Sequence, residues 1–272
     1  MAKAYQHIYL SPHYDDASLS CGGAIHQQTQ SGQSVLVVTI CAAPPAQGEP
    51  FSAFAESLHQ RWGNPENVVA TRQAEDQVSM NILGADYMQL DFTDCIYRGK
   101  PKKGEWYYNS DAELFGQVHP ADVMLADKIA EVIVQQVPRG EDTMIYAPLT
   151  VGYHVDHQLT HVAAWQLRQQ GGWTVVFYED YPYSDPDYAP HGLENAADLK
   201  TTLTRLHRLN LRPQLRLLSE ENLRAKIDSI AAYTSQIELL FGTRVKMEDQ
   251  VRNYAWRVGE GKPAERIWVP TD

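Results

Sequence analysis

The chain has 272 residues, 43% of them hydrophobic, and a formal net charge of −11; it can bury one large core, and neither a disordered nor a fibrous reading is needed. Such an acidic balance repels phosphate backbones and anionic lipid, which sets nucleic acid and membrane surfaces aside as partners. Cysteine occurs only at positions 21, 41 and 95, an odd number without CxxC spacing, so neither a disulfide framework nor a thiolate zinc site is indicated and a reducing compartment fits.

In chain order, short apolar runs alternate with stretches of helical spacing. Residues 7–10 read as a strand, 17–30 as a helix, 34–41 as a strand, 71–83 as a helix and 87–90 as a strand; then 122–137 reads as a helix, 144–147 as a strand, 157–170 as a helix and 173–178 as a strand. Gly32, Gly84, Gly140 and the pair Gly171 and Gly172 fall just after helices, where left-handed caps are wanted. Repeated βα units of this kind imply an α/β fold with a Rossmann-like, mostly parallel sheet flanked by helices. The connection 91–120, with Arg98, Trp106, Tyr107, Tyr108 and a lysine-rich patch, is long enough to be a lid. Beyond Pro186 the pattern turns irregular, then gives a helix over 221–240 and an apolar run at 266–269. Residues 1–272 thus read as one domain, a core over 1–180 and an extension over 181–272 packed on the sheet. The N-terminus passes straight into the first strand, and no run approaches the roughly 18 apolar residues of a membrane span, so the expected location is cytoplasmic.

In a parallel sheet, ligands gather beyond the carboxyl ends of the strands, and two clusters fall there. The first is Ser11-Pro12-His13-Tyr14-Asp15-Asp16, between the first strand and the first helix. An aspartate here could simply cap the helix, but capping leaves His13 unexplained. An imidazole and a carboxylate three positions apart at a turn, His13 and Asp16, can converge on one divalent ion, with Asp15 directed at the water. The second cluster, Gly152-Tyr153-His154-Val155-Asp156-His157, follows the strand at 144–147 and supplies the third ligand, His157. Two histidines and a carboxylate with an open position suit catalytic zinc, which lowers the pKa of water to about 7. His154, held protonated by Asp156, could face a developing oxyanion. A competing reading pairs His157 with His161 in an HxxxH zinc site, but Gln158 stands where such a site needs a general-base glutamate. The histidines at 7, 26, 59, 119, 191 and 207 have no partners at ligand spacing.

Together the two clusters resemble the PIG-L/LmbE deacetylase family, whose pattern is PHPDD followed by HxDH. Arg72 with Glu75, the run Tyr178-Glu179-Asp180 and the segment 226–236 resemble further family motifs, so the likeness spans nearly the whole chain. Tyr14 replaces the usual proline, and Ala17 stands where many members have glutamate. The resemblance implies His13, Asp16 and His157 as the metal triad, Asp15 as general base, and His154 as oxyanion stabiliser oriented by Asp156. It implies zinc, or ferrous iron, as cofactor and an N-acetylated sugar as the small-molecule substrate. Arg72, Arg98 and Asp94 would bind sugar hydroxyls, and Trp106, Tyr107 or Tyr108 would lie against a ring. Some members carry a mobile tyrosine at the position of Gly152, which here has Tyr153 beside it. The alternatives are a nucleotide-binding Rossmann enzyme, opposed by the lack of GxGxxG after the first strand, and an inactive scaffold of the same fold. A homo-oligomer is compatible with the sequence.

Overall fold

A computed structural model describes residues 4–63, 67–188 and 197–271; His191 lies outside the described residues. The elements run β1 (Tyr5–Ser11), α1 (Asp16–Gln30), β2 (Val35–Thr39), α2 (Ala53–Arg61), α3 (Val68–Leu83), β3 (Asp86–Gln89), the short hairpin β4 (Gly99–Lys100) and β5 (Glu105–Trp106), α4 (Asp111–Leu114) and α5 (Leu125–Gln136). They continue with β6 (Arg139–Pro148), α6 (Val155–Gln170), β7 (Thr174–Tyr178), α7 (Leu199–Arg205), β8 (Leu211–Leu217), α8 (Glu220–Ala231), α9 (Thr234–Phe241), α10 (Arg244–Val258) and β9 (Ala264–Pro270).

The main sheet has seven strands in the order β3-β2-β1-β6-β7-β9-β8. Strands β3, β2, β1, β6 and β7 are parallel, whereas β9 runs antiparallel to β7 and β8 antiparallel to β9. Strand alternation splits the core into two layers. Ile8, Leu10, Leu36, Val38 and Ile145 pack on one face with Ile129 and Ile133 of α5 and Leu159 and Ala163 of α6. Tyr9, Val35, Val37 and Tyr146 pack on the other with Cys21 and Ile25 of α1 and Met80 of α3. Chain order reverses at the boundary between β1 and β6, and that switch point is where the two polar clusters emerge.

The C-terminal segment differs from the sequence reading. Its strands β9 and β8 extend the sheet, and the helix expected over 221–240 is two helices, broken at Ala232 and Tyr233. Helix α8 packs on α1 through Leu19, Leu223, Ile227 and Ile230. The closest approach is at Gly22, where a Cβ would lie 3.1 Å from Lys226 Cγ and 3.3 Å from Lys226 Cα of α8. Gly140 lies inside β6 and caps no helix. The connection 91–120 is anchored as well as long: Cys95, Ile96 and Tyr108 are buried in a satellite cluster with Leu58 and Trp62. All three cysteines are buried free thiols. No helix among the described residues is long and apolar enough to cross a membrane.

Candidate active site

Asp15 occupies the cap position of α1 and makes no side-chain capping bond. Ser11 Oγ instead accepts from the Ala17 N–H at 3.0 Å, which frees both aspartates for other work. Asp16 Oδ2 accepts from the His13 backbone N–H at 2.7 Å, and it lies 3.2 Å from His13 Nδ1 and 3.3 Å from His157 Nε2. Two ligands on one tetrahedral zinc, each at about 2.0–2.1 Å, sit roughly 3.3–3.4 Å apart, so Asp16 stands at ligand spacing from each imidazole. His13, His154 and His157 also bring ring nitrogens within 4.8 Å of one another.

Each of the two histidines beside Asp16 is backed by a further carboxylate. His157 Nδ1 contacts Asp180 Oδ1 at 2.6 Å, and Asp180 is fixed in turn by the Val151 N–H at 2.9 Å. His13 Nε2 contacts Asp156 Oδ2 at 3.1 Å. A carboxylate on one ring nitrogen fixes the tautomer and presents the lone pair of the other, as metal-bound histidines require. Imidazole nitrogens and a carboxylate oxygen without thiolate form a donor set that fits a divalent ion such as zinc or ferrous iron.

Burial by itself would raise Asp16 and lower the imidazoles, but their mutual attraction prevails. His157 and His13 hold Asp16 well below the usual carboxylate range, and the surrounding aspartates lift His13 well above its ordinary value and His157 to about 9. For Asp15, burial raises the carboxyl despite the Arg72 guanidinium, whose Nη2 lies 3.1 Å from Asp15 Oδ1.

Asp156 does not orient His154 as the sequence suggested. Its carboxylate is taken by Arg98 at 2.5 Å, by His13 and by the Cys95 N–H at 3.1 Å. His154 Nδ1 instead accepts from the Asp156 backbone N–H at 3.2 Å, at the start of α6, which puts the ring proton on Nε2. Burial, joined by the charges of His13 and His157, pushes His154 well below its usual pKa, so the ring is neutral.

Arg98 is likewise placed differently from the expectation of hydroxyl binding. It is buried, bonded to Asp122 at 2.7 Å and to the Thr93 carbonyl at 3.0 Å, and it holds Asp156 from behind. Arg72 and Asp94 do line the cavity, which encloses about 140 Å³ between His13, Asp15, Asp16 and His154. The Arg72 guanidinium lies over the rings of Tyr14 and Trp62, at 5.4 and 5.3 Å. Trp106, Tyr107 and Tyr108 are not among the residues lining this cavity: Tyr107 stacks on His119, and the buried Tyr108 donates to Asp122. Nor does His161 turn toward the site; its Nδ1 meets the Pro148 carbonyl at 2.9 Å and its ring stacks on Phe177, which removes the HxxxH alternative. Asp180 is the residue that pattern reading missed as a site residue. Its signal was its place two residues after a parallel strand.

A Rossmann-like sheet with imidazoles and carboxylates gathered at its switch point defines an α/β protein with a donor set for one divalent metal. The chain belongs to the PIG-L family, matching the family described as GlcNAc-PI de-N-acetylase over residues 8–168. A 2'-N-acetylparomamine deacetylase of Niallia circulans is 28% identical over 92% of this chain and 93% of its own length. A protein of the same name from Streptomyces fradiae is 30% identical over 72% of this chain and 61% of its own length. Among solved structures, a deacetylase of the teicoplanin biosynthesis pathway superposes with a TM-score of 0.77 at 26% identity, covering 98% of both chains. The zinc-inhibited form of teicoplanin deacetylase gives a TM-score of 0.74 at 26% identity, again over 98% of both.

Proposed function

We propose that the protein is a zinc-dependent deacetylase that hydrolyses the N-acetyl amide of an amino-sugar substrate, with His13, Asp16 and His157 holding the ion. The observation that carries this reading is Asp16 Oδ2 at ligand spacing from both imidazoles, with Asp15 lining the same cavity. The named activities of the curated relatives, both deacetylases of an N-acetylated amino sugar, support it. Bound there, a divalent ion supplies Lewis acidity, polarising the acyl carbonyl and lowering the pKa of a water toward about 7. Asp15 takes the proton that the attacking water loses, and its raised carboxyl brings it nearer the working pH of a general base. The His154 Nε2–H donates to the carbonyl oxygen as that oxygen gains charge, a contribution whose loss commonly costs about 2.7–4 kcal/mol. Because His154 is neutral, releasing that proton would leave an imidazolate, so Asp15 is the group that returns a proton to the departing amine. Arg72 and Asp94 face the cavity as the donor and acceptor for sugar hydroxyls.

Metal analysis combined with acetate release from N-acetylated amino sugars tests the assignment. Asp15→Ala should lower kcat by orders of magnitude and keep about one metal per chain, whereas His157→Ala should lose the metal. Equal metal loss in both variants would contradict these roles.

A further inference from the structure

We infer that the natural substrate carries an apolar group next to the reacting amide, within one sugar's length of the acyl carbon. This rests on the deacetylase reading above and narrows its substrate class. Above the imidazoles the cavity is walled by three pairs of side chains from segments outside the parallel sheet: Leu58 and Trp62 at the end of α2, Leu114 and Phe115 at the end of α4, and Leu239 and Leu240 of α9. The wall begins at the chemistry itself, since the Phe115 ring centroid lies 5.3 Å from that of His154.

The polar groups have a different distribution. His13, Asp15, Asp16, Arg72, Asp94 and His154 are grouped around the candidate metal position and bonded largely to one another. Of the remaining polar lining residues, Gln236 donates to Ser235 Oγ, which leaves Arg61, Asp111 and the Tyr183 hydroxyl as the polar groups among the apolar side chains. A sugar hydroxyl pressed against leucine loses its hydrogen bonds to water without replacement, whereas an alkyl or aryl group gains there.

The wall is also held in place. Glu75 of α3 accepts from Thr234 Oγ1 at 2.6 Å, the Ser235 N–H at 2.8 Å and Ser235 Oγ at 2.6 Å, fixing the start of α9 and so the position of Leu239 and Leu240. Phe115, Leu239 and Leu240 nevertheless stay half-buried, which leaves apolar surface for an occupant to cover. The group can be carried by the aglycone, which keeps the acetyl group of the reading above, or replace the acetyl methyl as a longer acyl chain, which keeps the amide hydrolysis and changes the acid released; both present the same chemistry to the wall.

The test uses the zinc-loaded protein and two substrate series: methyl, butyl and hexyl glycosides of N-acetylglucosamine, and methyl glycosides of N-acetyl-, N-butyryl- and N-hexanoylglucosamine. Along one series kcat/KM should rise about fourfold per methylene covered, and at least about tenfold from end to end; the series that responds identifies the side. Leu239→Ser with Leu240→Ser should shrink that end-to-end ratio, and Phe115→Ser provides a second variant if the first fails to fold. Calorimetric binding of the same compounds separates the two levels of inference. If the hexyl compound binds more tightly than the methyl one and nothing is hydrolysed, the apolar wall stands and the deacetylase reading falls. If hydrolysis proceeds at one kcat/KM along both series, or an N-acetylated polyamino sugar outruns them all, the apolar group is overturned and the deacetylase reading stands.

Discussion

His13 and His157 do not reach the cavity alone; each is braced by an aspartate on its far nitrogen, Asp156 and Asp180 respectively. The two braces differ in what supports them. Asp156 is backed by the buried Arg98, whereas Asp180 relies on the Val151 N–H. Asp180→Asn should therefore leave the fold intact and weaken metal binding by about 10–100-fold, the range for loss of such an outer partner, read by competition with a chelating dye. Unchanged affinity would mean that His157 needs no brace. The motif histidines and aspartates were legible because a strand end followed by a charged hexapeptide has few structural uses. The bracing partners were not, because Asp180 and Arg98 become meaningful only once the chain has brought them to His157 and Asp156 from other strands and loops.

At the level of elements, the alternation of strands and helices was readable because four of the five parallel strands, β1, β2, β6 and β7, carry buried apolar runs, whereas the edge strand β3 is exposed to half-buried. What escaped did so for identifiable reasons. Strand β8, Leu211–Leu217, is largely exposed and contains Pro213, so it has neither an apolar run nor clean alternation. Helix α2 buries only Ala55 and Leu58. The break between α8 and α9 is capped by Glu75, a residue far away in sequence. The loop joining β6 to α6 shows the same dependence on a distant partner. Gly152 has φ 88°, and a Cβ there would lie 2.7 Å from Cγ of Tyr183, whose ring borders the active-site cavity. Gly152→Ala combines a left-handed backbone with a collision, so urea unfolding should show a loss of about 1–3 kcal/mol. Tyr183→Ala in the same chain should recover part of that loss by removing the collision while leaving the backbone strain; no recovery would show that Tyr183 does not confine this loop.

The whole molecule depends on the C-terminal helices closing over α1 and α3, and one buried acid records that closure. Asp76 of α3 is fully buried, accepting from Tyr233 Oη at 2.9 Å and from Gln89 Nε2 at 3.3 Å, and Tyr233 sits at the α8–α9 break. Burial lifts its carboxyl from 3.8 to about 6, with the Tyr233 and Gln89 donors limiting the rise. Between those two values the folded protein keeps a proton that the unfolded chain releases. The contribution to stability is therefore complete below the unfolded pKa and is lost as pH climbs through about 6. A shift of this size corresponds to roughly 3 kcal/mol. Asp76→Asn keeps an acceptor for Tyr233 but cannot ionise. Its unfolding free energy relative to the parent should thus move in the variant's favour by up to about 3 kcal/mol between about pH 4 and about pH 7. Taking the difference between the two proteins cancels the titration of every other group they share. A difference that stayed flat across that interval would place the Asp76 carboxyl in contact with water, and α8 and α9 would then not seal α3 as the hydrogen bonds of Tyr233 indicate.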